Sequence, residues 1–105
     1  MVQEVWEIEV VPGANWNAVS DYLRKQAVAT KKRNLVIDAY GLRSDVGDPR
    51  AFNTAYFVTV FESLADRNAY WREGLNDEQM SLYRDQKESN LTADRMGHYY
   101  FNVLA

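Results

Sequence analysis

The chain has 105 residues with 12 basic and 15 acidic side chains, a net charge of −3, one histidine and no cysteine. A chain of this length makes one domain, residues 1–105. The lack of cysteine excludes disulfides, thiolate-ligated zinc and a thiol nucleophile, and one histidine excludes a multi-histidine metal site within the chain. Because the net charge is acidic, we expect no nucleic-acid partner. Because cysteine and a second histidine are missing, we expect no metal.

The sequence carries no signal for a membrane. The first eleven residues hold three acidic and no basic side chains, unlike a secretory signal peptide. No window approaches the length of apolar sequence that a membrane-spanning helix needs. We therefore expect a cytoplasmic protein with no membrane partner.

The first half of the chain predicts a strand, a helix and a second strand. Residues 2–11 alternate as a β-strand does, and Pro12 with the following glycine ends it. A helix over 16–32 follows, with Asn15 as its N-cap and apolar residues at spacings of three and four. Residues 34–44 predict the second strand. One face of the first strand carries Val2, Glu4, Trp6, Ile8 and Val10.

The second half of the chain begins with a predicted loop over 44–49 and a third strand over 54–62. A helix capped by Ser63 follows, and then a short extra helix to about residue 88. A fourth strand over 95–104 ends the prediction. The order β-α-β-β-α-β is typical of the ferredoxin-like α+β sandwich, in which helices cover one face of a four-stranded antiparallel sheet.

The last two strands are apolar on both faces. In the third strand Tyr56 and Val58 oppose Ala55 and Phe57, and the fourth strand repeats the pattern. Two helices cover only one face of such a sheet, and the chain has no further element for the other face. The sequence therefore predicts a homodimer with the sheets of two copies face to face.

Two segments resemble the dimeric α/β barrel superfamily: EIEVVPGANWNAVSDYL, a strand–turn–helix opening, and VTVFESLADRNAYW, a strand that runs into a capped helix. Within it the chain is most similar to NIPSNAP-like, EthD-like and antibiotic-biosynthesis monooxygenase-like small barrels. The resemblance implies a barrel-forming dimer. In its cofactor-free monooxygenases, Asn, Trp and Arg side chains hold an aromatic substrate between sheet and helices.

Three residues of the second helix supply those side-chain types: Asn68, Trp71 and Arg72. The simpler interpretation makes Trp71 a core anchor with Leu64 and Leu75 and leaves the other two exposed. Haem-degrading members place a histidine on this helix, and the chain has only His98, in the fourth strand. That difference argues against haem degradation. The common nucleotide, hydrolase and zinc-protease motifs are missing, so we expect no cofactor.

The sequence predicts a site for a small apolar or aromatic molecule, with cofactor-independent monooxygenase-like activity as one hypothesis and a non-catalytic dimer as the alternative. An aromatic set could line the cavity or simply fill the core: Trp6, Trp16, Tyr56, Trp71 and Tyr100. We also expect His98 to face the dimer side of the sheet, opposite Tyr99 and Phe101. There it could pair with Glu7 as a catalytic dyad or serve a structural role.

Overall fold

The computed structural model describes residues 1–44 and 53–104, apart from the side chains of residues 94–96. The strands are β1 (Val2–Val10), β2 (Val36–Arg43), β3 (Thr54–Phe61) and β4 (Thr92–Asn102), and the helices are α1 (Trp16–Lys31), α2 (Leu64–Glu73) and α3 (Asp77–Glu88). The fourth strand begins three residues earlier than predicted. The predicted loop lies outside the described residues after Ser44.

The four strands form one antiparallel sheet in the order β2-β3-β1-β4. This order is that of the predicted ferredoxin-like sandwich. In the centre of the sheet, Trp6 of β1 pairs with Phe57 of β3 on one side and with His98 of β4 on the other. None of the helices in the described segments is long and apolar enough to span a membrane.

Side-chain caps begin each helix. Asn15 accepts hydrogen bonds from the backbone N–H groups of residues 17 and 18, and the Ser63 hydroxyl accepts one from residue 66. Both caps agree with the sequence prediction. At Gly74 the backbone turns to φ 76°, which suits glycine, and Asn76 with Gln79 then forms a capping box that begins α3.

The core lies between the sheet and the helices. Val10, Val19, Leu23 and Ala55 are its buried centre. Gly41 allows β2 to approach α1 closely, since a Cβ there would lie 2.8 Å from the Cβ of Leu23. This tight packing holds α1 against β2.

The face of β4 that contacts the helices is the reverse of the expected one. His98 lies opposite Trp6 and shares its helix-covered face, whereas Tyr99 lies opposite Val5 on the uncovered face. The apolar character of Tyr99 and Phe101 suggested the wrong assignment. A polar residue at position 98 is accommodated beneath the helices because a buried carboxylate, Glu4, supplies its hydrogen-bond partner.

The uncovered face is mainly apolar and partly exposed, with Gln3 and Glu7 among its residues. Tyr99 is 44% exposed and Phe101 is 50% exposed. These rings, with Val5, Tyr40, Leu42, Tyr56 and Val58, line a shallow depression across all four strands. A face of this kind on a small protein usually marks a surface that another molecule covers.

Candidate functional site

A cavity of about 600 Å³ lies between the sheet and the helices. Its aromatic wall includes Trp6 and Phe57 from the sheet, Tyr70 and Trp71 from α2, and Tyr83 from α3. The polar lining groups are hydroxyls and amides, and none of the described lining residues carries a formal charge. The cavity therefore suits an uncharged molecule with a large apolar surface.

A buried carboxylate lies beside this cavity. Glu4 has no exposed surface. Its Oε1 accepts a hydrogen bond from Trp71 Nε1 at 2.7 Å, and its Oε2 accepts bonds from Arg67 Nε at 2.8 Å and His98 Nε2 at 2.9 Å. A buried charge is tolerated only when such partners replace water. We call these four residues the Glu4 cluster.

The Glu4 cluster supports the aromatic wall of the cavity. The His98 ring stacks on Trp6, with ring centroids 3.4 Å apart and planes at 8°. Trp71, held by Glu4, meets Trp6 edge to face at 6.2 Å. Both tryptophans line the cavity, so the Glu4 cluster sets the positions of two rings in its aromatic wall.

A second polar network anchors α3 to the rest of the helix layer. The Gln79 amide donates to Thr30 Oγ1 and to the Tyr70 hydroxyl, and it accepts from Arg33 Nη1 at 2.7 Å. The Arg33 guanidinium also lies 4.4 Å from the centre of the Tyr70 ring. Burial raises the pKa of Tyr70, so its hydroxyl stays neutral across the physiological range.

The structure brings together some of the predicted ligand-binding residues and separates others. Trp6 and Trp71 line the cavity, and Tyr100 contacts the His98 ring at 4.7 Å. Trp16 instead packs against the core cluster, under the guanidinium of Arg43. Tyr56 lies on the uncovered face of the sheet. The predicted set of five aromatics is therefore not one site.

The predicted contact between Glu7 and His98 is not formed. Glu7 pairs across the strands with Gly97, and its carboxylate accepts a hydrogen bond from the Tyr99 hydroxyl at 2.8 Å on the uncovered face. His98 donates to Glu4 on the opposite face. A difference of one residue in register moves a side chain to the other face of a sheet. A catalytic role for His98 or Glu7 stays a prediction.

Sequence reasoning missed Glu4 and Arg67 as members of the site. The available signal was Glu4 itself, the one charged residue among the apolar residues of its strand face. An acid at a core position requires a buried donor. Nothing comparable distinguished Arg67 from the predicted Arg72, since both arginines belong to the same polar helix. Asn68 accepts a hydrogen bond from Arg67 Nη1, and Arg72 is exposed.

Comparisons with known proteins agree on the fold. No family model and no curated protein matches the sequence. A protein of Arabidopsis thaliana superimposes with a TM-score of 0.71 at 9% identity, covering 100% of this chain and 97% of the other. The chain therefore has the ferredoxin-like fold that such structures share.

Other structures with this fold come from bacteria. A protein of Nitrosomonas europaea described as a candidate antibiotic biosynthesis monooxygenase superimposes with a TM-score of 0.69 at 13% identity, covering 100% of both chains. A further one with that description, from Deinococcus radiodurans, gives 0.65 at 10% identity, covering 100% of this chain and 94% of the other. Because the sequence identities are this low, the similarity to these structures establishes the fold alone.

Proposed function

We propose that this ferredoxin-like protein binds a neutral, planar aromatic molecule in the cavity between its sheet and its helices. The observation that carries the proposal is the cavity of about 600 Å³ with an aromatic wall and uncharged polar lining. Ligand sites of small molecules occupy about 300–1,000 Å³ and combine apolar walls with a few polar groups.

The arrangement of the wall favours a flat ligand. Trp6 and Trp71 stand at 80° to one another, so a planar ring can stack on one and meet the edge of the other. Arg67, which would otherwise attract an anion, is neutralised by Glu4. A charged ligand would have to lose its hydration without gaining a partner of opposite charge.

Calorimetric titration with 1-naphthol tests the proposal. Ala93 lines the cavity, and Ala93→Phe should fill part of it and weaken 1-naphthol binding at least about tenfold, the loss of much of the buried contact area. Val28 is 52% exposed on α1, so Val28→Phe is the matched control and should bind as the unaltered protein does. Equal binding by all three proteins would refute the site.

Charge selectivity gives an independent check. The anion naphthalene-1-sulfonate has the same ring system and should bind more weakly than 1-naphthol, because no described lining residue offers a positive charge. Tighter binding of the sulfonate would place the ligand elsewhere on the protein.

The second candidate function is cofactor-independent oxygenation of the bound aromatic. The relatives in fold that are described as candidate antibiotic biosynthesis monooxygenases favour it, together with the size of the cavity. For an anthrone, one oxygen atom of O₂ becomes the carbonyl oxygen at the methylene carbon, and the other leaves as water with the two methylene hydrogens. The substrate supplies all four electrons, so the balance needs no added reductant.

Oxygen uptake with anthrone distinguishes the two functions. An oxygenase should consume one O₂ per anthraquinone formed and exceed the protein-free rate, and Ala93→Phe should lower that excess. Binding of 1-naphthol without any acceleration of anthrone oxidation would indicate a binding protein that is not an oxygenase. We propose the cytoplasm as its compartment in either case.

We also propose that two copies pair through the uncovered sheet face. Leu42, Tyr99 and Phe101 leave about half of their surfaces exposed there. Light scattering after size exclusion should give twice the 12.2 kDa chain mass. Phe101→Lys should yield monomers, whereas Val28→Lys, on the helix side, should not. A monomer at micromolar concentration would refute the pairing.

A further inference from the structure

Three glutamines contribute to the wall of the cavity: Gln26 on α1, and Gln79 and Gln86 on α3. All three are almost fully buried, with 9%, 1% and 3% of their surface exposed, respectively. Gln79 is fully engaged, because its amide nitrogen donates twice and its oxygen accepts twice. Gln79 therefore shows that a buried glutamine in this wall can use all of its hydrogen-bonding capacity within the protein.

Gln26 is incompletely engaged, although its amide also interacts with the Tyr22 hydroxyl. Its Nε2 donates to the backbone carbonyl oxygen of Gln79 at 3.1 Å, and this bond fixes which side of the amide is nitrogen, since a carbonyl can only accept. Its Oε1 has no hydrogen-bond partner within the described part of the chain. Gln26 therefore presents a buried acceptor in the cavity wall.

Gln86 has the complementary deficit. The Thr92 hydroxyl donates to its Oε1 at 2.6 Å. Its Nε2 is buried and has no partner among the residues of 1–44 and 53–104 whose side chains are described. A buried donor and a buried acceptor are thus left over in one cavity. Native proteins rarely leave such groups unpaired.

We propose that Gln26 and Gln86 select the ligand by hydrogen bonding, a proposal that rests on the aromatic-binding function above. Gln26 Oε1 accepts from a ligand hydroxyl or N–H, and Gln86 Nε2 donates to a ligand carbonyl oxygen. Each amide keeps its existing hydrogen bond, to the Gln79 carbonyl or from the Thr92 hydroxyl, while the ligand displaces the side chains that cover its other polar atom.

The two atoms act on different parts of the ligand. The Gln26 amide lies beside Gln79 on α3, because it donates a hydrogen bond to the Gln79 carbonyl. Gln86 follows Gln79 by seven positions on the same helix, which separates the two positions by about 10 Å along the helix axis. The ligand class is therefore a flat aromatic with a hydrogen-bond donor at one end and an acceptor at the other.

A set of three probes separates the two contacts. Naphthalene supplies the ring alone, 1-naphthol adds a donor and 1-acetonaphthone adds an acceptor. Calorimetry measures each probe against the unaltered protein, Gln26→Met and Gln86→Met. Gln3→Met, the same change on the uncovered face of the sheet, is the matched control.

Each contact should disappear with its own glutamine. In the unaltered protein and in Gln3→Met, the hydroxyl and the carbonyl should each improve binding about fivefold over naphthalene, the equivalent of one net hydrogen bond. Gln26→Met should remove the hydroxyl advantage and keep the carbonyl advantage. Gln86→Met should do the reverse.

The outcomes separate this proposal from the function on which it rests. If naphthalene, 1-naphthol and 1-acetonaphthone all fail to bind, both are refuted. If naphthalene binds and the substitutions leave both advantages unchanged, only the role of the glutamines is refuted.

A variant that does not fold leaves a second test, made on the unaltered protein. The side-chain amide signals of Gln26 and Gln86 should shift in NMR spectra, the former with 1-naphthol and the latter with 1-acetonaphthone. Bound probes with no shift at either amide would overturn the proposal.

Discussion

Replacing Glu4 by glutamine tests the role of the Glu4 cluster. Glutamine keeps the shape of the side chain but presents one oxygen and one amide nitrogen to three donors, which belong to Arg67, Trp71 and His98. Whichever way the amide lies, at least one of these donors faces an N–H₂ group. The ion pair with Arg67 is lost in either orientation.

These contacts allow an estimate of the loss of stability in Glu4→Gln. A hydrogen bond to a charged group contributes about 1.5–3 kcal/mol, and removing one member of a buried ion pair costs about 3–5 kcal/mol. Glu4 is fully buried, but the Arg67 side chain is 20% exposed and glutamine preserves one acceptor. We therefore expect the free energy of unfolding to fall by about 3 kcal/mol, at the low end of the ion-pair range.

Urea unfolding monitored by near-ultraviolet circular dichroism measures this change, since Trp71 and Trp6 report on the same region. With an m-value of about 1.5 kcal/mol/M, the midpoint should fall by about 2 M. Glu78→Gln is the matched control: Glu78 pairs with Lys32 at the exposed surface of the helix layer, so its midpoint should barely move. Equal midpoints for the two variants would refute the reasoning.

Three further predictions concern other parts of the molecule. Gly41→Ala should lower the free energy of unfolding by about 1–3 kcal/mol in urea titrations, because the new Cβ meets Leu23 at 2.8 Å; an unchanged midpoint would contradict this. Burial raises the pKa of Tyr70 above its ordinary 10.0, so the unfolded chain loses the Tyr70 proton at a lower pH than the folded chain does. The free energy of unfolding should therefore fall as pH rises above about 10. Unfolding measured at about pH 9 and 11 should show a smaller fall in Tyr70→Phe than in the unaltered protein. The hydrogen bond to Glu7 raises the pKa of Tyr99, so Glu7→Gln should lower that pKa in an ultraviolet titration assigned with Tyr99→Phe, and an unmoved titration would argue against the contact.

Local signals in the sequence predicted the fold well. Alternation in β1, the caps at Asn15 and Ser63, and the interruption at Gly74 each act over a few residues, and the structure confirms them. The order of these elements then restricts the topology to very few arrangements.

The site was less predictable because it depends on register between distant segments. Glu4 and His98 meet only because β1 pairs with β4 in one particular alignment, and a shift of one residue would have selected Glu7 instead. The partners of Glu4 on α2 depend further on how the helix crosses the sheet, which no local pattern encodes. The two incompletely engaged glutamines likewise become visible only when their neighbours are known.

A crystal structure of the protein grown with 1-naphthol tests the central claim most directly. We expect electron density for the naphthalene ring in the cavity, against Trp6 and Trp71, with the hydroxyl within hydrogen-bond distance of Gln26 Oε1. Density for the ring on the uncovered sheet face, beside Tyr99 and Phe101, with the cavity free of it, would contradict the account.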